Sequence, residues 1–188
     1  MSFINISSDD LQEYYNKKGL DEVVINQYIT SSYLTIKANE LYDFVNSTTD
    51  EYHEVIMNHD YLKFYLDIEC GTKNHTITEV IDVMRDIIDE VSYHFESSFT
   101  ITSACRKDKI SFHLIFKDML FYCKSHMLIF VENNLKEQLA SGFIDTQVYK
   151  TRKQMMRLPN TKKNGVLNSE HKPVIIDFNA YTITPNDN

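Results

Sequence analysis

Cysteine is scarce in this 188-residue chain. There are three, Cys70, Cys105 and Cys123, and no two stand at the spacing of a zinc site or a redox pair. An odd, scattered set reads as free thiols, which points to a reducing compartment. No apolar run approaches the roughly 18 residues of a membrane span, so no membrane partner is expected. The start, Met1-Ser2-Phe3-Ile4-Asn5, has neither the basic residues nor the apolar stretch of a signal peptide. Together these absences lead us to expect an intracellular protein of the cytoplasm or nucleus. The sequence also has no internal repeat, no low-complexity tract and no His-x-His pair. The last absence removes the paired histidines that a strand-transfer nuclease sets beside its tyrosine.

Positive charge is in deficit, with 19 bases against 27 acids and a net charge of −8. The deficit is local. Residues 1–60 hold eleven acids and three bases, which accounts for all of it, whereas residues 146–165 carry six bases and no acid. A basic track of this kind can bind a polyanion even on an acidic protein.

The hydrophobic fraction of 43% and aromatic fraction of 12% suit a globular core; the strands and helices read along the chain make the expected class mixed α/β (α+β). Residues 1–60 read as a helical N-terminal segment packed on a core formed by residues 61–188. In that segment Ser8 is placed as an N-cap before Asp9 and Asp10, Gly19 breaks the first helix, and Leu34, Ala38, Leu41 and Val45 recur at helical spacing. Residues 62–69 read as a strand. Thr76-Ile77-Thr78-Glu79 has the form of a capping box ahead of an apolar stripe, which predicts a helix over about 77–95. Residues 99–104 and 110–116 read as a hairpin, residues 124–140 as a helix closed by Gly142, residues 148–158 as largely extended, Asn164-Gly165 as a turn, and residues 174–181 as a last strand.

The chemistry gathers on the strand Phe64-Tyr65-Leu66-Asp67-Ile68-Glu69. Alternation puts Asp67 and Glu69 on one face, roughly 7 Å apart. Two carboxylates so close repel unless one is protonated or a cation lies between them, and Mg²⁺ and Mn²⁺ prefer such oxygens. On the second hairpin strand Lys109, Ser111 and His113 share a face, and ammonium, hydroxyl and imidazole N–H can all donate to phosphate oxygens. Asp145 is a third acid between apolar neighbours. Arg157 lies among Met155, Met156 and Leu158, a setting in which a guanidinium wants an anionic partner.

The order Asp67-x-Glu69, then Lys109-Ile110-Ser111-Phe112-His113, then Ile144-Asp145, then Arg157-Leu158 with Lys163 six residues on, resembles the archaeo-eukaryotic primase superfamily. The match spans roughly residues 64–163. It is closest to the branch of eukaryotic primase-polymerases and of the primase domains of viral primase–helicases. The resemblance implies an RNA-recognition-motif-like sheet joined to a second α/β unit. It implies a DNA primase-polymerase that transfers nucleotides from NTPs or dNTPs by a two-metal mechanism on a single-stranded DNA template. Asp67, Glu69 and Asp145 would be the catalytic acids that hold two Mg²⁺ or Mn²⁺ ions. Lys109, Ser111, His113, Arg157 and Lys163 would bind the nucleotide, with Lys150, Arg152 and Lys162 as further template or nucleotide contacts. A replicative helicase, on this or another chain, and a viral or mobile-element setting in a host cell also fit. Two other classes stand beside it: a non-catalytic single-stranded nucleic-acid-binding module and a metal-dependent nuclease.

Overall fold

The fold comes from a computed structural model, which describes all residues except 1–3, 8, 9, 20, 49, 58–60, 151, 152, 162, 164–169, 187 and 188, and the side chain of Tyr42. It is α+β, with two five-stranded sheets whose paired strands run antiparallel. The chain divides into two compact units, residues 1–57 with 152–171, and residues 58–151 with 172–188. Residues 152–171 therefore belong with the N-terminal part, not with a continuous core over 61–188. The expected cap at Ser8 and the turn at Asn164-Gly165 lie outside the described residues. Among the described residues no helix is long and apolar enough to cross a membrane.

The first unit corrects the expectation of a helical N-terminal segment. Its elements are β1 (Ile4–Asn5), α1 (Leu11–Asn16), β2 (Glu22–Gln27), β3 (Ser32–Lys37), a 3-10 turn (Ala38–Glu40), α2 (Leu41–Asn46) and β4 (Tyr52–Met57). The helical spacing of Leu34, Ala38, Leu41 and Val45 is a coincidence across a strand, a turn and a short helix. The β-branched and aromatic residues Val23-Val24-Ile25 and Tyr33-Leu34-Thr35-Ile36 govern instead, because they suit a pleated surface. One sheet face, with Val24, Tyr33, Val55 and Met57, packs against Leu11 and Tyr15 of α1. The other, with Ile25, Leu34, Ile36 and Tyr52, packs against Val45 of α2.

The second unit begins with β5 (Leu62–Gly71), α3 (Ile77–His94), β6 (Phe99–Ser103) and β7 (Lys109–Phe121). The capping box is present, with Glu79 N–H donating to Thr76 Oγ1 and Thr76 N–H to the Glu79 carboxylate. β6 and β7 form the expected hairpin, with β7 running further than its sequence suggested. The helix expected over 124–140 is two, α4 (Lys124–Asn134) and α5 (Lys136–Ala140), broken at Leu135. That residue has φ −113° and ψ 36° and is fully buried, so its packing overrides its helix propensity.

Gln147–Lys150 is a short helix, α6, where an extended chain was expected, and β8 (Lys153–Arg157) joins the edge of the first sheet beside β4. The last expected strand is a hairpin, β9 (Lys172–Asp177) and β10 (Thr182–Pro185). Asp177 Oδ1 accepts from the N–H groups of Asn179 and Ala180 at 2.9 and 3.0 Å and makes the turn.

The second sheet has the order β10-β9-β6-β7-β5. Phe64, Leu66 and Ile68 of β5 and Phe112, Leu114 and Phe116 of β7 share one face, and all six are fully buried. Phe64 stacks on Phe116 with centroids 5.4 Å apart and meets the edge of Phe130 from α4 at 5.2 Å. Each such side chain contributes roughly 1.5–3 kcal/mol by leaving water. Alternation leaves the opposite face of β5 and β7 to Asp67, Glu69, Ser111 and His113.

Candidate functional site

The β5–β7 register sets Asp67 opposite His113 and Glu69 opposite Ser111. Residues 143–145 run antiparallel along the outer edge of β5. Ile144 bridges Ile68, the Asp145 N–H donates to the Asp67 carbonyl at 2.9 Å, and the Glu69 N–H donates to the Phe143 carbonyl at 2.8 Å. On the far side of β7, Thr102 of β6 lies opposite His113. One cross-strand row therefore reads Asp145, Asp67, His113, Thr102, and the next holds Glu69 and Ser111. Three acids and the Ser-x-His pair, spread over nearly eighty residues of sequence, come together on one sheet.

His113 Nε2 stands 4.0 Å from Asp67 Oδ1, and both side chains are largely buried. Lys109 Nζ is ion-paired with Glu69. Ser111 and Thr102 are buried at 5% and 3% exposure, so their hydroxyls sit where water is scarce and a directed hydrogen bond is strong.

Asp145 owes its place to the chain on both sides. Gly142, at φ +77°, makes the turn that leads into the edge bridge. Asp145 Oδ1 then accepts the Gln147 N–H at 2.8 Å and starts α6. With the chain now helical, the Tyr149 hydroxyl donates to the Tyr65 carbonyl of β5. Tyr65 reciprocates by donating to the Val148 carbonyl at 3.4 Å. Burial pushes the Tyr149 phenol well above its usual pKa, and Tyr65, Asp67 and Asp145 nearby push it further. Tyr149→Phe should leave the Tyr65 carbonyl buried without that donor and lower stability by about 1–3 kcal/mol. Chemical denaturation measures this, and an unchanged midpoint would remove Tyr149 from the role of edge donor.

The donor set suits a hard divalent cation, since the acids offer carboxylate oxygens. The acids are nevertheless engaged by the protein, Glu69 by Lys109 and Asp145 by the Gln147 N–H. Among the described residues no group of three His, Cys, Asp or Glu side chains forms a ready-made metal cluster. The chemistry of the ligands fits the ions; a preassembled cage is absent from the described residues.

The remaining sequence candidates are basic residues. Arg157 ends β8 opposite His53 of β4, in the first unit. His53 Nε2 is 3.2 Å from Glu51 Oε1, and both residues are buried. Burial lowers the His53 pKa most; Glu51 opposes this, while Arg157 and Lys163 add to it, so both cations bear on one imidazole. Lys163 is exposed, as is Lys150 at the end of α6. Arg152 and Lys162 lie outside the described residues. The sequence reading missed Thr102 and His53. Hairpin alternation would have found Thr102; β4 is buried on both faces, so no alternation marked His53.

The chain matches no model of a known protein family and no curated protein.

Proposed function

We propose that the second unit carries the catalytic face of a primase-polymerase, which transfers nucleotides onto a primer or initiating nucleotide along single-stranded DNA. The observation that carries the reading is the cross-strand row, with Asp145 and Asp67 side by side, His113 next to them, and Glu69 with Ser111 in the row beyond. The path β5, α3, β6, β7, α4 and α5, then the edge segment 143–145 beside β5, supports an RNA-recognition-motif-like core, a β-α-β-β-α-β arrangement.

Asp67, Glu69 and Asp145 would hold Mg²⁺ or Mn²⁺. When bound, such ions lower the pKa of an attacking hydroxyl and neutralise charge on the leaving pyrophosphate. The chain's own groups position and neutralise. Ser111 and His113 would donate hydrogen bonds to the nucleotide's phosphates. Lys109, paired with Glu69 in the free chain, would turn to the triphosphate, a denser anion, and release the Glu69 carboxylate.

The test is synthesis on an unprimed single-stranded template with all ribo- and deoxyribonucleotides and Mg²⁺ or Mn²⁺, with products sized on a gel. Template-dependent products support the reading; nucleotide binding without products, or cleavage of the template, contradicts it. Within that assay His113→Ala should weaken nucleotide binding about tenfold, the worth of one charge-assisted hydrogen bond, and leave template binding nearly unchanged. Equal loss of both would remove His113 from the phosphates.

A further inference from the structure

Where β5 ends, the second unit opens into a cleft of about 1010 Å³, walled by residues 71–75, by Lys107 and Asp108 of the β6–β7 turn, and by residues 141–143. Ligand pockets span roughly 300–1,000 Å³, so the cleft is large enough for a nucleotide. Its walls are tied together. Thr72 Oγ1 donates to the Lys107 carbonyl at 2.8 Å, and the Thr72 N–H donates to the Asp108 carbonyl at 3.3 Å. The His75 ring meets the edge of Phe143 at 4.9 Å.

The charge of the lining decides what it can hold. Both acids in it are already neutralised, Glu69 by Lys109 and Asp108 by Arg106 Nε at 2.8 Å. Lys73 and Lys107 are exposed, and among the described residues neither has an ion-pair partner. His75 adds an imidazole at the same wall, with its Nδ1 4.0 Å from the Glu79 carboxylate. Once Arg106 and Lys109 are counted with the acids they hold, the two uncommitted ammonium groups leave this concave surface with net positive charge, on a protein that is acidic as a whole. Concavity concentrates that field on an anion.

We propose that this cleft is a phosphate-binding site, in which Lys73 and Lys107 hold the phosphates of a nucleotide's polyphosphate tail or of a polynucleotide backbone. The inference goes beyond nucleotidyl transfer and does not need it, because binding alone satisfies it.

The experiment is fluorescence and calorimetric binding to the full chain without metal, with ATP as one probe and a labelled oligothymidylate as the other. The variants are Lys73→Gln with Lys107→Gln, and a charge-matched control, Lys117→Gln with Lys136→Gln. All four lysines are exposed, so the variants should fold. If the source is a nucleotide, ATP binding weakens about tenfold in the cleft variant and oligothymidylate binding does not. If it is a polynucleotide, the salt dependence of oligothymidylate binding becomes shallower by about 1.4, two phosphate contacts on a single strand, and ATP binding does not change. Unchanged binding of both probes, or an equal loss in the control, overturns the proposal. Turnover by the Asp67 variant reports on the transfer reading separately.

Discussion

Asp67→Ala should abolish nucleotide incorporation while the chain keeps its fold. The two effects separate because Asp67 contributes to the sheet through its backbone, and in the proposed function to the chemistry through its carboxylate. Its carbonyl accepts the Asp145 N–H at 2.9 Å, and that bond survives the substitution. The lost carboxylate stands beside Asp145, a like charge whose repulsion costs roughly 0.2–1 kcal/mol, and 4.0 Å from His113, which offsets it, so stability should change little. Activity should fall far more. A metal clamp supplies several kcal/mol at the transition state, and losing about 4 kcal/mol of it slows the reaction roughly 10³-fold. Incorporation of labelled nucleotide, measured beside a thermal melt, checks both halves. Wild-type activity in the variant would defeat the assignment of the acids. If the melt shows an unfolded chain, Asp67→Asn, which keeps the shape and removes the charge, carries the same test.

Lys124→Met should stabilise the chain at neutral pH. Lys124 opens α4 and is fully buried, at 0% exposure. A cation at a helix N-terminus opposes the helix dipole. Burial pulls its pKa from 10.5 down to about 8. The sign follows from where the proton sits. Below pH 8 both folded and unfolded chains hold it, and the cost of the buried charge is present in full. Between about pH 8 and 10.5 the unfolded chain keeps the proton and the folded chain does not, so stability rises with pH. Above that window the cost is gone. The shift is worth about 3 kcal/mol, the largest gain expected of the methionine variant at pH 7. Denaturant melts of both proteins from pH 7 to 10.5 should show the difference shrinking as pH rises. A constant difference would mean that Lys124 acts through packing, not charge.

The strand that organises the site could be read from its residues because its two faces differ. Phe64, Leu66 and Ile68 face the core, whereas Tyr65, Asp67 and Glu69 do not share that side, so a period of two is visible. α3 was legible for a similar reason, with Thr76 and Glu79 marking its start and one apolar stripe marking its length. The first unit was not. In β4, Tyr52, His53, Val55, Ile56 and Met57 are all buried, and β2 and β3 each bury consecutive residues, so alternation disappears. A strand covered on both faces loses the pattern that would reveal it. The place of Asp145 was beyond any local pattern. It depends on an edge bridge between Ile68 and Ile144, residues far apart in the chain, and on a tyrosine hydroxyl that donates to the Tyr65 carbonyl of β5.

Calorimetric titration of Mn²⁺ into the wild-type chain, the Asp67→Ala variant and a Glu69→Ala variant tests the central claim most directly. Saturable binding is expected in the wild type, and its loss when either carboxylate is removed. Binding of equal strength in all three proteins, or none in the wild type with nucleotide present, would contradict it.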